Sequence, residues 1–560
     1  MSVRFRLSRL EVRDFRGIEQ LDLDLPSGEP SVIVGANNSG KTTVLSALAL
    51  GLRDGGFGRF APEPFDFRVR SDGTHATEFG ITVRFEPDGG TLPAVQGMGN
   101  PVWVHGVRVR GKQKKGGIFE HRHLLIDDED QPITFSQATP LKGAIKEEFA
   151  GTGTGWRPIN AKLEDIRDTV PEVWFLQPHN IEAHLYVWRS GPLRRLAQML
   201  SDRFLQEPWV FEIDGKQRSM PQGIRQAHRF FHEAVQRFPF WQDDLKLRLE
   251  DALGRYIGGS AKFSLDPSIS TIEEWLAQQL TVAFAVEQGA QPTPLQRMGD
   301  GWQCLVRLAA LDVLSQYDDL VRNDRVVLLM EEPETHLHPH LRRRLRATLE
   351  AAAAKGWQVV ITTHTPEFVS FSHKQQLTRL HRNGGTLSAF TVSPASIGGE
   401  VKAQERLERG RATLEVPFAR RVLISEGKSD DLGFRLGLAA FGFDADAEGL
   451  SIIAGGGAPG MPPMARLVGA LGIPWVAVTD DDPGNPKTER VRADLEVAKS
   501  AADLTLVLKG ALEGSLGLDK HADSAEVLAR LAGASSTELT TEYPTFAELC
   551  RAIIDWSRRK

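Results

Sequence analysis

Cysteine is scarce in this sequence, which has only Cys304 and Cys550 among its 560 residues. Two thiols cannot form the disulfide framework of a small secreted protein, so a reducing cytoplasm is the expected compartment. Uncharged apolar runs of about 18 residues are also missing, and we expect no membrane-spanning helix. The N-terminus alternates charged and apolar residues and lacks the apolar core of a signal peptide.

A strong charge of either sign is missing as well. The net charge is -6 and the pI is about 6.2, which neither indicates nor excludes a polyanionic partner such as DNA. Hydrophobic residues make up 41% of the chain and charged residues 25%, as in ordinary globular proteins. A chain of this length exceeds what one hydrophobic core supports, so at least two domains are expected.

The sequence does contain many alternating strand and helix patterns. Short alternating strands lead into the apolar strand "SVIV", and a helical pattern follows it. Residues 185–260 change to long amphipathic helices, which indicates an insertion. Five or six strand and helix units follow in the C-terminal part and predict an open parallel α/β sheet.

A phosphate-binding loop is predicted at residues 35–42, "GANNSGKT", which match G-x-x-x-x-G-K-[ST] between a strand and a helix. Glycine lets the backbone N–H groups of such a loop surround nucleotide phosphates. Lys41 places a positive charge at the terminal phosphates, and the Thr42 hydroxyl reaches Mg²⁺. A chance glycine-rich turn is the weaker alternative. The residues assigned to the nucleotide are Gly35, Asn38, Gly40, Lys41, Thr42 and Thr43.

A matching acidic pair follows the apolar strand "VVLLM". We assign Glu331 to Mg²⁺ and Glu332 to the attacking water, with a solvated charge pair as the weaker alternative. His364 follows the strand "VVITT" and is expected at the same edge, near the γ-phosphate or the water. Because Lys41 and Glu331 are far apart in sequence, we expect the chain between them to loop out and their strands to lie side by side.

Three histidines, His336, His338 and His340, alternate just after the acidic pair. They invite a zinc site, but one loop would have to turn all three inward and no cysteine is adjacent in sequence. Structural histidines are the favoured interpretation.

Two acidic clusters follow later strands. Glu426 follows "RVLIS" with Asp430 one helical turn later, and residues 480–482 place three aspartates after "WVAVT". Carboxylates gathered at one sheet edge repel one another unless a proton, a basic side chain or a cation intervenes. Oxygen-only ligands select Mg²⁺ or Mn²⁺, so a bound divalent cation is the favoured explanation of how the repulsion between the carboxylates is offset. Each cluster alone also fits an ordinary helix start.

The segments around the first site resemble the ABC-type ATPase of the overcoming lysogenization defect (OLD) family. The matching stretches are "VIVGANNSGKTTVLSAL", "MGDGWQCLVRLAAL", "LLMEEPETHLHP" and "VVITTHTP", in this order. By this resemblance residues 299–303 form the signature motif that completes the nucleotide site of a facing subunit, so ATP with Mg²⁺ would lie between two heads. The signature residues are Gly299, Gly301 and Gln303.

The later pattern, E-G followed by D-x-D, resembles the TOPRIM domain that OLD proteins join to this ATPase. The resemblance implies a metal-dependent DNA nuclease with two Mg²⁺ or Mn²⁺ ions, and "VLKGALEGSL" adds Glu513 as a ligand. The implied metal ligands are Glu426, Asp430, Asp480, Asp482 and Glu513 in this domain, and Thr42 and Glu331 at the nucleotide. The implied catalytic residues are Glu426, Asp480, Asp482, Glu332 and His364. Family members also use an active-site lysine, whose context is not matched by Lys509, Lys520 or Lys560.

These patterns predict an α/β fold in which an ABC-type P-loop ATPase with a helical insertion precedes a Rossmann-like TOPRIM domain with a parallel sheet. The predicted divisions are residues 1–184 and 261–395 for the ATPase, 185–260 for the helical insertion and dimer contact, 396–417 for the linker and 418–560 for the TOPRIM domain.

The favoured function is an ATP-hydrolysing, metal-dependent DNA endonuclease in anti-phage defence or DNA processing. A homodimer or higher homo-oligomer is expected, and a helicase or another defence protein is a candidate partner. Two alternatives stay open: a nucleotide-controlled DNA-binding or sensor ATPase with an inactive TOPRIM site, and a topoisomerase-like enzyme, although none of the four tyrosines lies in a recognisable nucleophile domain. Basic clusters at residues 108–115, 194–195 and 342–346 are candidate phosphate contacts or solvated faces.

Overall fold

The computed structural model divides the chain into two compact units, residues 1–175 with 319–560 and residues 176–318. The structure describes residues 4–52, 64–70, 72–96, 101–113, 119–140, 154–160, 170–178, 192, 195, 210–213, 216–219, 283–284, 293–294, 297–316, 326–335, 337–371, 375–383, 386–392, 414–481, 484–519 and 523–559.

The regular elements are numbered in chain order. The strands are β1 (Phe5–Phe15), β2 (Ile18–Asp24), β3 (Ser31–Gly35), β4 (Glu78–Pro87), β5 (Ala94–Gln96), β6 (Pro101–Trp103), β7 (Gly106–Gln113), β8 (Phe119–Ile126), β9 (Thr134–Pro140), β10 (Thr154–Asn160), β11 (Glu172–Leu176), β12 (Val210–Ile213), β13 (Lys216–Ser219), β14 (Ala283–Phe284), β15 (Thr293–Pro294), β16 (Val326–Glu331), β17 (Gln358–Thr362), β18 (Gln376–Asn383), β19 (Thr386–Val392), β20 (Arg421–Ser425), β21 (Leu450–Ala454), β22 (Trp475–Asp480) and β23 (Leu504–Leu508). The helices are α1 (Lys41–Leu52), α2 (Asp300–Gln316), α3 (Pro339–Ala354), α4 (Lys428–Ala440), α5 (Ala445–Glu448), α6 (Met461–Ala470), α7 (Pro486–Ala498), α8 (Leu512–Ser515), α9 (Ser524–Leu531), α10 (Ser536–Glu542) and α11 (Pro544–Ser557).

An antiparallel sheet with the order β2-β1-β4-β7-β8 covers one side of the first domain. In β1 the buried residues alternate with polar ones, and a bulge between Leu7 and Arg9 resets the alternation. On the polar face, Arg84 lies 2.6 Å from both Glu11 and Asp130. The apolar face packs into the core that the sheet shares with the next one.

The second sheet of the first domain has the order β11-β16-β17-β3-β18-β19. Its central strands are parallel and β16 is buried at every residue, as expected for a sheet covered on both faces. The prediction that β3 and β16 lie side by side is wrong, because β17 pairs with both of them. β17, the strand that precedes His364, therefore lies between β3 and β16.

Helix α1 lies between these two sheets and contacts strands of both. Its residues, KTTVLSALALGL, are apolar around most of the helix and are largely buried. A Cβ at Gly51 would lie 2.6 Å from Val83 Cγ2 on β4, so only glycine permits this approach. An apolar surface around the whole helix is what a helix covered on opposite sides requires.

The C-terminal domain is built on the parallel sheet β21-β20-β22-β23. The described part of this sheet has four strands, and the regular elements described after β23 are helices. Helices α4 and α11 contact the sheet through one hydrophobic core, while α6 and α7 contact each other and β22. The predicted α/β class, with a second parallel-sheet domain after the first, is confirmed.

A buried arginine joins strand β18 to the C-terminal domain. Arg379 on β18 donates to the carbonyl oxygens of Leu471 at 3.1 Å, Gly472 at 3.4 Å and Ala419 at 3.2 Å. Leu471 and Gly472 follow α6, so the guanidinium lies at the negative end of that helix. Burial lowers the pKa of Arg379 to about 10.

The predicted helical insertion lies almost wholly outside the described residues. Within residues 185–260 the regular structure described is the antiparallel pair of β12 and β13. The predicted linker is described only from residue 414 onward. Among the helices that the structure describes, none is long and apolar enough to cross a membrane.

Candidate functional site

The loop between β3 and α1 has the conformation that its sequence predicts. Gly35 has φ +154°, and a Cβ there would lie 2.5 Å from the Leu380 carbonyl oxygen. Asn38 and Gly40 have φ of +66° and +96°, values that asparagine and glycine tolerate best. The loop then enters α1 at Lys41, which places it at the N-terminal end of a helix, where anions are favoured.

The Lys41 ammonium is held over this loop. Its Nζ donates to the carbonyl oxygens of Gly35 at 3.1 Å and Ala36 at 3.0 Å. Burial lowers the pKa of Lys41, and nearby carboxylates oppose that shift. The opposing carboxylates belong to Glu332, Glu334 and Glu331. The negative groups after β16 therefore lie close to the lysine of the loop.

Thr42 and Glu331 are brought into direct contact. The Thr42 hydroxyl donates to Glu331 Oε1, and the side chain of Glu331 is buried at the end of β16. Thr43 follows in the same helix. A hydroxyl and a carboxylate at adjoining positions are the oxygen ligands that Mg²⁺ takes beside nucleotide phosphates.

Glu332 and His364 meet above the same edge. Glu332 has φ +43°, and its N–H donates to the Thr362 carbonyl oxygen at 3.0 Å. His364 Nε2 lies 3.3 Å from Glu332 Oε1. Burial lowers the pKa of His364 and the Lys41 charge adds to this effect, while Glu332 opposes it.

The predicted signature residues lie in the other compact unit, residues 176–318. Gly299 precedes α2, and Gly301 and Gln303 lie in its first turn. Gln303 is buried, and its Nε2 donates to the Met298 carbonyl oxygen at 2.7 Å. This bond fixes the start of the helix, and the role of the three residues toward a facing subunit stays a prediction.

The two acidic clusters meet at the carboxyl edge of the C-terminal sheet. Strands β20 and β22 are neighbours, so the acids that follow them can converge at one edge of the sheet. The Asp480 N–H donates to Glu426 Oε1 at 3.0 Å. The Gly427 N–H donates to Asp430 Oδ2 at 2.8 Å, and this bond caps the start of α4.

The electrostatics show that three carboxyl groups influence one another here. Burial, together with the charges of Glu513 and Glu426, raises the pKa of Asp430 to about 6, and the bond from the Gly427 N–H opposes this shift. Such a donor set, all carboxylate oxygen, fits Mg²⁺ or Mn²⁺. Within the described residues no three His, Cys, Asp or Glu side chains are arranged as a ready metal-binding group, and Asp482 lies outside those residues.

The middle aspartate has a different partner. Arg492 on α7 lies 3.3 Å from Asp481 Oδ1, and its Nη2 donates to the Asp480 carbonyl oxygen at 2.6 Å. Arg492 was not predicted from the sequence, although its place on the charged helix after the aspartates was a visible signal. Glu334, whose Oε1 accepts the His364 N–H at 2.7 Å, was not predicted either.

The remaining motifs have local partners. The rings of His338 and His340 stack with centroids 5.2 Å apart, and His340 Nδ1 lies 2.6 Å from Arg343 Nη2, while His336 lies outside the described residues. In the basic strand β7, Lys112 pairs with Glu78 at 2.6 Å. Charges paired within the sheet are weak candidates for phosphate contacts.

Two family models match the chain. "AAA domain, putative AbiEii toxin, Type IV TA system" matches residues 31–370, more than half of the chain. "Overcoming lysogenization defect protein-like, TOPRIM domain" matches residues 418–482. Both models fall on the segments that carry the two sites described above.

Two curated relatives are named OLD nuclease. The protein of Thermus scotoductus is 26% identical over 552 residues, which cover 92% of this chain and 92% of that one. The protein of Escherichia phage P2 is 24% identical over 197 residues, 34% of this chain and 33% of that one. The first of these similarities extends through both sites.

Solved structures that match part of the chain include heads of SMC proteins. An SMC head bound to the C-winged helix domain of ScpA is 14% identical with a TM-score of 0.37, and the match covers 69% of this chain and 97% of that chain. The SMC head domain of Thermotoga maritima is 15% identical with a TM-score of 0.29, covering 69% and 99%. Similarity at this level adds nothing to the topology described above.

Proposed function

The chain belongs to the overcoming lysogenization defect family, an AAA-type ATPase joined to a TOPRIM domain, and we propose that it hydrolyses ATP and cleaves DNA with divalent metal ions. The printed name of its relatives, OLD nuclease, supports the nuclease half. The proposed setting is the cytoplasm, as a homodimer or higher homo-oligomer in anti-phage defence or DNA processing, with a helicase or another defence protein as a candidate partner.

One observation carries the nuclease proposal: the Asp480 N–H donates to Glu426 Oε1 at 3.0 Å across neighbouring parallel strands. This bond brings the two acidic clusters, far apart in sequence, to one point at the sheet edge where ligands of open α/β sheets bind. Burial and two neighbouring carboxylates raise the pKa of Asp430 there. Clustered negative charge with a raised pKa is typical of a site built for a cation.

In the ATPase half, the chain supplies backbone groups that bind phosphate, a positively charged side chain and a base. Backbone N–H groups of the loop and the Lys41 ammonium would bind the phosphates, and Thr42 with Glu331 would hold Mg²⁺. Glu332 would orient the attacking water and accept its proton, with the His364 imidazole beside it at 3.3 Å.

In the nuclease half, the chain supplies carboxylates and the elements that orient them. The residues that would hold divalent cations are Glu426, Asp430, Asp480, Asp482 and Glu513. When bound, such cations lower the pKa of a water molecule and offset the charge of a phosphodiester. The backbone N–H groups of Asp480 and Gly427 fix the carboxylates of Glu426 and Asp430, and Glu426 is the group proposed for proton transfer.

The experiment is plasmid cleavage by the full chain with Mg²⁺ or Mn²⁺, with and without ATP. We expect nicked or linear DNA from the wild type and none from Asp480→Ala. Lys41→Ala should abolish ATP hydrolysis, and its cleavage with and without ATP shows whether the nucleotide controls the nuclease.

A different outcome would support the other class of function. DNA binding that responds to ATP, with no cleavage by the wild type in either metal, would identify a nucleotide-controlled sensor with an inactive TOPRIM site. Relaxed but intact circles would identify a topoisomerase-like activity. Either result would overturn the nuclease proposal while leaving the ATPase half in place.

A further inference from the structure

Two loops that follow neighbouring strands of the ATPase sheet are tied together by Glu334. Strands β16 and β17 run parallel in the register Glu331 to Thr362, so their following loops leave the sheet at the same edge. Glu334 Oε1 accepts the His364 N–H at 2.7 Å, and only 7% of Glu334 is exposed. A glutamate buried to this degree is uncommon unless it has a specific partner.

The bond to Glu334 fixes the backbone of His364, and the ring of His364 contacts Glu332. His364 Nε2 lies 3.3 Å from Glu332 Oε1, and the Glu332 backbone is held at φ +43° by its own bond to Thr362. A non-glycine residue in this region is strained and persists only where its surroundings fix it. The relative position of the imidazole and the Glu332 carboxylate therefore depends on both loops.

We infer that Glu334 is a positioning residue for ATP hydrolysis: it holds the His364 backbone so that the imidazole lies against Glu332, the group assigned to the attacking water. The inference rests on the proposed function for the roles of Glu332 and His364. The contact that carries the inference is the bond from the His364 N–H to Glu334 Oε1, so the role inferred for Glu334 is to fix this backbone and not to touch water or phosphate. A displacement of about 1 Å at such a site costs roughly 100-fold in rate.

The hydrolysis experiment compares Glu334→Ala, Glu334→Gln and His364→Ala in the full chain. Alanine removes the acceptor, so kcat for ATP should fall about 10- to 100-fold while KM changes less than about threefold. Glutamine keeps a carbonyl oxygen that can accept the same N–H, and its kcat should stay within about threefold of the wild type. Glu350→Ala on α3 is the matched control, because Glu350 pairs with Arg346 on the same helix, 3.4 Å away.

A double variant tests whether Glu334 acts through His364. Residues that act as one unit give non-additive losses, so Glu334→Ala with His364→Ala should be no slower than the slower single variant. Multiplied losses would overturn the inference. So would equal losses in Glu334→Gln and Glu334→Ala, because the charge and not the acceptor would then matter.

An NMR titration of the imidazole separates this inference from the proposed function. Comparison with His364→Gln identifies the signal, which should titrate below 6.5 in the wild type and close to 6.5 in Glu334→Ala, where the ring is released to solvent. An unchanged titration would overturn the positioning role even in an active ATPase. A changed titration in a chain that does not hydrolyse ATP would instead overturn the proposed function.

Discussion

Arg492 and Asp481 form an ion pair in which Nη2 lies 3.3 Å from Oδ1, beside the acidic edge of the C-terminal sheet. The same guanidinium donates to the Asp480 carbonyl oxygen at 2.6 Å and to Thr479 Oγ1 at 3.3 Å. The Asp481 N–H donates to the Leu508 carbonyl oxygen and so continues the ladder with β23. Successive residues of a strand face opposite sides, which separates Asp481 from Asp480. Of the adjacent aspartates, the middle one is thus neutralised by a basic side chain.

This arrangement predicts different effects of substituting neighbouring residues. Asp480→Ala should cause the largest loss of DNA cleavage, and Arg492→Ala should cost about 10- to 100-fold, as expected for a residue that orients a ligand. Asp481→Ala should cost less than either, because it removes only one of the bonds made by Arg492. Initial rates of plasmid nicking measure all three. Equal losses for Asp480→Ala and Asp481→Ala would contradict the assignment.

Two glycines of the C-terminal domain provide a test of packing. A Cβ at Gly437 would lie 2.6 Å from Phe546 Cε1 and 2.8 Å from Cys550 Sγ, where α4 meets α11. Gly437→Ala should therefore lower the free energy of unfolding by about 1–3 kcal/mol, the usual cost of overpacking a core. Gly514→Ala in α8 is the matched control, since no atom lies within 4 Å of its Cβ position. Alanine there should be neutral or stabilise by about 0.5–1 kcal/mol. Urea denaturation distinguishes the two, and a similar loss in both would argue against the α4–α11 contact.

Much of the site could be predicted from local sequence. The apolar strands β16 and β22 end in acids, and each strand is buried where the pattern predicted burial. The loop from Gly35 to Lys41 needs residues that tolerate positive φ, and it has them at Asn38 and Gly40. These features depend on a few consecutive residues, so the sequence alone specifies them.

Strand order and long side-chain contacts could not be predicted in this way. β17 lies between β3 and β16 because of packing across the whole sheet, and no property of β3 itself indicates its neighbour. Glu334 meets a backbone N–H 30 residues away, and Arg379 meets a carbonyl 93 residues away. A glutamate in a loop and an arginine in a strand are both usually exposed, so composition gives no signal of their burial.

Arg379 should contribute strongly to stability. Its guanidinium donates to three carbonyl oxygens of the C-terminal domain while it is almost fully buried on β18. Arg379→Ala leaves those oxygens unsatisfied and should lower the free energy of unfolding by about 3 kcal/mol. Arg344→Ala, at an exposed position of α3, should change it by less than about 0.5 kcal/mol. Thermal or urea denaturation of both variants provides the measurement. A loss no greater than that of the control would show that solvent replaces the three bonds at no cost.

His364 should make stability depend on pH in a defined direction. Burial and the Lys41 charge lower its folded-state pKa below the ordinary value of about 6.5, and Glu332 opposes this only in part. Between the two pKa values the unfolded chain binds more protons than the folded chain, so stability rises with pH there. The contribution of the neutral imidazole is therefore complete above about pH 6.5 and is lost as the pH falls through the folded pKa. His364→Gln cannot titrate, so the wild type should lose stability relative to this variant between pH 7.5 and pH 5.5 in urea denaturation. The exposed His338→Gln serves as the control, and a wild-type advantage that grows as the pH falls would mean that the imidazole is held as a cation by Glu332.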